Sequence, residues 1–140
     1  MLIKKSIFAC FVLLTGISAY AGLPSYNYGN VELHGKVIIR TKYGPPNFEK
    51  DGICPAVKVP MLQMKEFISI TPIGKDIDLY DPVSKINVIQ IVELDNVNVS
   101  KYVGRWIKIT GELSGALTGS HYTKAILEVR KNNKITKYVK

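Results

Sequence analysis

Cysteine, histidine and tryptophan are scarce in this 140-residue chain, which holds two cysteines, two histidines and one tryptophan. Such counts leave no room for the disulfide framework of a small secreted scaffold. No Gly-x-Ser-x-Gly elbow, His-Glu-x-x-His helix, Walker loop or dinucleotide glycine fingerprint occurs, so none of the hydrolase, metallopeptidase or nucleotide-binding classes that carry those motifs is indicated. No apolar run reaches the ~20 residues that a membrane span needs. No amphipathic pattern extends beyond two helical turns, which removes coiled coils and helical bundles. What is there is ordinary: 46% hydrophobic and 21% charged residues, with 11 glycines and 7 prolines. That composition fits one globular domain and leaves no space for a cofactor domain beside a substrate domain.

The first residues read as an export signal. Lys4 and Lys5 precede an apolar run from Ile7 to Ile17, and Ala19-Tyr20-Ala21 has the small-x-small pattern that signal peptidase recognises. Cleavage is expected after Ala21, with a periplasmic or secreted product spanning residues 22–140. A lipoprotein cut at Cys10 is disfavoured, because too few apolar residues stand between Lys5 and that cysteine. Cleavage removes two of the positive charges behind the formal net charge of +8, so the remainder stays basic. It also leaves Cys54 alone, so packing must hold the fold without an internal disulfide.

Alternation marks the strands. From Val31 to Tyr43, Val31, Leu33, Val37, Ile39 and Tyr43 share one parity, with Glu32, His34, Lys36, Arg40 and Lys42 on the other. Gly35 stands where so long a strand would bend. Residues 43–55 hold two glycines and three prolines and form a structured loop. Residues 56–70 are a second strand in which Pro60 marks an edge or a bulge. After a Pro/Gly/Asp loop over 71–85, residues 86–94 are apolar at both parities, as expected of a strand covered on both faces. A short helix or turn follows over 95–104. Residues 105–113 alternate again, with Ile107, Ile109 and Leu113 inward and Trp106, Lys108 and Thr110 outward. Residues 114–121 are a loop, 122–130 a strand with Ala125, Leu127 and Val129 inward, and 135–139 a last strand. Five or six curved strands with one short helical link predict a mostly β fold, a small Greek-key barrel of the OB type. A β-sandwich is the alternative, although it calls for about seven shorter strands.

Two segments carry a resemblance. Tyr43-Gly44-Pro45-Pro46-Asn47-Phe48 and Thr118-Gly119-Ser120-His121-Tyr122-Thr123 resemble the paired signatures of a family of small exported bacterial domains of unknown function, whose second motif typically reads Thr-Gly-His-His-His-Thr. The likeness extends over residues 32–129. This chain keeps only His121 of the three histidines.

Candidate chemistry is sparse. His34, His121 and Cys54 show no zinc-ligand spacing, so no metal and no cofactor is expected. Cys54 and His121 would form a nucleophile and base only if their loops converged, and no orienting third residue accompanies them; a free thiol, buried or open to an intermolecular disulfide, is the simpler reading. Asp76, Asp78 and Asp81 depart from a calcium loop, with Asp81 where the turn glycine belongs and Asn87 where the bidentate glutamate belongs.

Binding has more support. Lys124, Arg130, Lys131, Lys134, Lys137 and Lys140 face Glu128 alone, so the positive field is concentrated on the last strand and tail. Such lysines either steer an acidic partner or guard a sheet edge. Trp106 lies on the polar face beside Lys108, open to a ligand or covered by a loop such as 43–55. Tyr43, Asn47, Phe48, His121 and Tyr122 belong to the two motif loops, which are expected to meet, with Asn47, Thr118 and Thr123 satisfying loop backbone. The binding residues expected are therefore Tyr43, Asn47, Phe48, Trp106, His121, Tyr122, Lys131, Lys134 and Lys137. They point to an exported, non-enzymatic domain that binds a protein partner, as an inhibitor, immunity or accessory module. The alternative is a binder of polyanions or glycans through the basic strand and exposed aromatics.

Overall fold

The structure, a computed structural model, describes residues 22–139. The signal-peptide reading of residues 1–21 and the terminal Lys140 lie outside the described residues. Seven strands form: β1 (Ser25–Asn27), β2 (Gly29–Tyr43), β3 (Ala56–Thr71), β4 (Val83–Glu93), β5 (Trp106–Gly115), β6 (Ala125–Val129) and β7 (Ile135–Lys137). Short 3-10 turns over Gly74–Asp78 and Ser100–Tyr102 lie within the connections on either side of β4.

Five strands pair in a ring. The second half of β2 runs antiparallel to β3 and its first half antiparallel to β5, because the strand is long enough to serve two partners in succession. β3 continues antiparallel to β4, β5 pairs antiparallel with β6, and β4 and β6 close the circuit in parallel. That order, with its one parallel closing pair, is a small Greek-key barrel of the OB type. β1 adds to β3 in parallel and β7 to β5 antiparallel, outside the ring. Among the described residues, no helix is long and apolar enough to cross a membrane.

The inward parity predicted from alternation is the parity that is buried. Leu33, Val37, Ile107, Ile109, Leu113, Ala125, Leu127 and Val129 all join one apolar core with Leu62, Ile70, Ile89 and Ile91. Glycine allows the close approaches this curvature needs: a Cβ on Gly35 would stand 2.8 Å from the Gln63 carbonyl oxygen, and one on Gly111 would stand 2.7 Å from that of Glu128. Pro60 pairs with Ile39 just short of the point, Met61↔Gln90, where β4 joins β3, so its missing N–H lies on an edge segment as expected.

Several boundaries move. β4 starts at Val83 rather than at residue 86, and β5 runs on to Gly115. β6 starts at Ala125, not at Tyr122, because the Tyr122 N–H is drawn to the Gln90 side chain instead of into a strand ladder. β1 has no counterpart in the sequence reading, being too short for alternation to show.

Candidate functional site

Outward-facing residues at one end of the ring are also buried. Met61, Gln90, Ile126 and Ser114 are register neighbours across β3, β4, β6 and β5, and each has the parity opposite to the core residues beside it. All four are nevertheless buried, as are Val59 and Cys54. The two motif loops, residues 44–55 between β2 and β3 and residues 116–124 between β5 and β6, emerge at this end.

Hydrogen bonds tie the second loop to the wall. The Gln90 side chain accepts from the Tyr122 backbone N–H at 2.6 Å and donates to the Ser120 carbonyl at 3.1 Å. The Gln90 backbone N–H donates to the Thr123 hydroxyl at 2.9 Å, and that hydroxyl donates onward to the Ala125 carbonyl. Within the loop, the Leu117 N–H donates to Nδ1 of His121 at 3.0 Å, which places the neutral ring's proton on Nε2. The Thr118 hydroxyl accepts from the Ser120 N–H.

The first loop is organised by Asp51. Its Oδ1 accepts from the backbone N–H groups of Ile53 and Cys54 at 2.9 and 2.8 Å, and its Oδ2 accepts from Asn47 Nδ2 at 3.2 Å. Hydrogen bonds from those two backbone amides, then from Asn47, hold the Asp51 carboxyl well below the usual carboxylate range. The Cys54 thiol is free and buried, donates to Asp51 Oδ2 and accepts from the Asn47 N–H. Asn47 therefore differs from expectation, since its side chain meets a carboxylate rather than loop backbone.

The loops meet. The Tyr122 hydroxyl donates to the Tyr43 carbonyl at 2.9 Å, across 79 positions of sequence. Phe48, at φ 57°, lays its ring on Gly119, where a Cβ would come within 2.6 Å of the ring's Cζ. Only glycine leaves room for that ring. Three apolar side chains stay exposed on these loops: Phe48 at 39%, Ile53 at 75% and Leu117 at 66%.

Of the sequence-predicted residues, Tyr43, Asn47, Phe48, His121 and Tyr122 share this junction, and the other four do not. Trp106 pairs with Lys36 on the barrel wall and accepts at its carbonyl from the Tyr138 N–H at 3.1 Å. It is partly exposed, and the C-terminal segment, rather than the 43–55 loop, runs beside it. Lys131, Lys134 and Lys137 are exposed along the turn and strand that follow β6, at the end of that strand away from the junction. Gln90 and Asp51 are the residues that sequence reasoning missed. A polar residue inside the apolar 86–94 run was the available signal for Gln90; Asp51 carried none beyond its place in a turn-rich loop.

The outer face of the second and third barrel strands, with the two loops at this end, is where OB folds take oligonucleotides and oligosaccharides. Here the second loop hydrogen-bonds to that wall through Gln90, and part of the wall is buried. No curated protein and no solved structure matches the chain. A family model described as a domain of unknown function (DUF4431) matches residues 89–135, from the middle of β4 to the start of β7, a stretch that includes Gln90 and the whole 116–124 loop.

Proposed function

We propose that this chain is an exported, non-enzymatic binding domain that engages a protein partner through the outer surface of its two joined loops, as an inhibitor, immunity or accessory module would. The observation that carries this reading is the Phe48–Gly119 packing with the Tyr43–Tyr122 hydrogen bond. It presents partly exposed aromatic and aliphatic groups on loops that are already ordered, so little conformational entropy remains to be lost on docking. Large apolar side chains held exposed on a rigid base are the usual anchors of a protein interface. The loops that cover the wall also remove the open groove that a nucleic acid strand would follow.

The test is affinity capture from cell-envelope extract with the protein and with Phe48→Ala, each at low and high salt. A partner retained by the first and weakened at least fivefold by the substitution, with the circular dichroism unchanged, supports the reading. A partner held equally by both overturns it. A second reading, a polyanion binder, is favoured by one observation: Lys131, Lys134 and Lys137 are exposed, and the ion pairs among the described residues involve other cations. Steep salt dependence that is lost on replacing these three lysines together, while Phe48→Ala has no effect, would select it.

A further inference from the structure

β2 and β3 stay paired only as far as Lys36↔Gln63, after which β2 turns to β5 and β3 continues to β4 and β1. A cleft of about 470 Å³ opens where they part, within the size range of small-ligand sites. Its floor is the core itself, through Leu33, Met64 and Ile68, which are nearly inaccessible to water. Aromatic rings flank it from both sides of the gap: Trp106 and Tyr138 belong to the β2–β5–β7 side, and Tyr26 stands on β1 beside β3. The Tyr138 ring is held by stacking on His34, with centroids 4.3 Å apart and planes 21° apart.

The rim decides the ligand's charge. Lys65 and Glu66 are adjacent, exposed and opposite in sign, so the two charged side chains on the rim balance and offer hydrogen-bond donors and acceptors. A polyanion would meet Glu66 and a polycation would meet Lys65. An apolar floor with aromatic sides instead suits a ring that has one apolar face and a polar edge. From this geometry we infer that the cleft is a subsite for a neutral sugar ring, whose C–H face rests on the aromatic groups while its hydroxyls reach Lys65, Glu66 and His34. The site is separate from the loop junction, which lies beyond the other end of the β2–β3 pairing at Tyr43↔Ala56, and it does not depend on the reading of that junction.

Trp106 is the only tryptophan of the chain, so tryptophan emission reports this cleft directly. The protein is titrated with neutral oligomers of N-acetylglucosamine, glucose and mannose, and with a heparin oligosaccharide. The expected result is a saturable change in emission with at least one neutral oligomer. That affinity should fall at least fivefold in Tyr138→Ala and in the exposed rim variant Glu66→Ala, and be retained in Phe48→Ala. No saturable change with any neutral oligomer overturns the inference, as does a change with heparin alone or a response that survives both cleft substitutions.

Discussion

The inner and outer faces of the same strands are stabilised by different means. Inside the ring, Leu62, Ile89, Ile91 and Leu127 are buried among apolar neighbours, and their contribution scales with area removed from water. Outside it, under the motif loops, Gln90 and Ser114 are buried as well, and what keeps them there is hydrogen bonding: Gln90 to Ser120, Tyr122 and Thr123, and Ser114 to the Glu128 carboxylate. Among the described residues, no buried side-chain nitrogen or oxygen lacks a partner. The inner face therefore depends on volume alone, whereas the outer face, which also buries Met61 and Ile126, depends in addition on keeping the partners of its polar residues. Damage to the first should unfold the barrel, and damage to the second should release a loop.

Leu62→Ala should show the largest effect. The side chain is wholly buried at the centre of the core, and truncation to alanine should destabilise the protein by about 2–5 kcal/mol, measured by denaturant unfolding. A loss confined to the loops, with the midpoint unmoved, would mean that the barrel does not depend on this layer.

Gln90→Ala should come next. It removes two part-buried hydrogen bonds, from the Tyr122 N–H and to the Ser120 carbonyl, at about 0.5–1.5 kcal/mol each. Faster amide exchange over residues 116–124, with core amides still protected, is the expected pattern. Uniform deprotection would make Gln90 part of the global fold and dissolve the distinction between the faces.

Tyr122→Phe removes one hydroxyl and its bond to the Tyr43 carbonyl, so it should cost about 1 kcal/mol. Its consequence should be local: amide shifts in both loops, seen by nuclear magnetic resonance, rather than in one. Shifts restricted to the second loop would show that the two are not coupled.

Acid provides the mildest perturbation. The folded Asp51 carboxyl titrates below its unfolded value, so the stability it lends is complete above about pH 4 and is lost as pH falls from there toward the folded value. The Ile53 and Cys54 amides, which donate to Asp51, should follow that transition with a midpoint below the ordinary carboxylate range. A midpoint at the ordinary value would remove Asp51 as the organiser of the first loop.

The barrel was legible in the sequence because inward and outward faces alternate residue by residue, and burial of the inward set is a local property of each strand. Trp106 to Leu113 shows it directly, and in Val31 to Tyr43 it holds for Leu33 and Val37 in the core and Val31 against it, while Ile39 and Tyr43, toward the loop end of the strand, are only partly buried and lie outside the core. Alternation is silent where both faces are buried. Met61 and Ile126 look like surplus apolar residues on an exposed face until two loops, from opposite halves of the chain, are laid over them.

By itself the sequence determined the mostly β character, the inward parity of the strands that alternate, and the location of the glycine- and proline-rich loop over residues 43–55. Each of these follows from interactions within a few residues: side-chain period, the missing proline donor and the freedom of glycine. Tertiary structure decided the rest. The meeting of Tyr122 with Tyr43, of Phe48 with Gly119, and of Gln90 with the 116–124 loop joins positions 30 to 79 residues apart. The cleft that opens where β2 parts from β3 likewise gathers residues distant in sequence, from Tyr26 to Tyr138. Contacts at that separation depend on strand order and register around the ring, which no local pattern encodes.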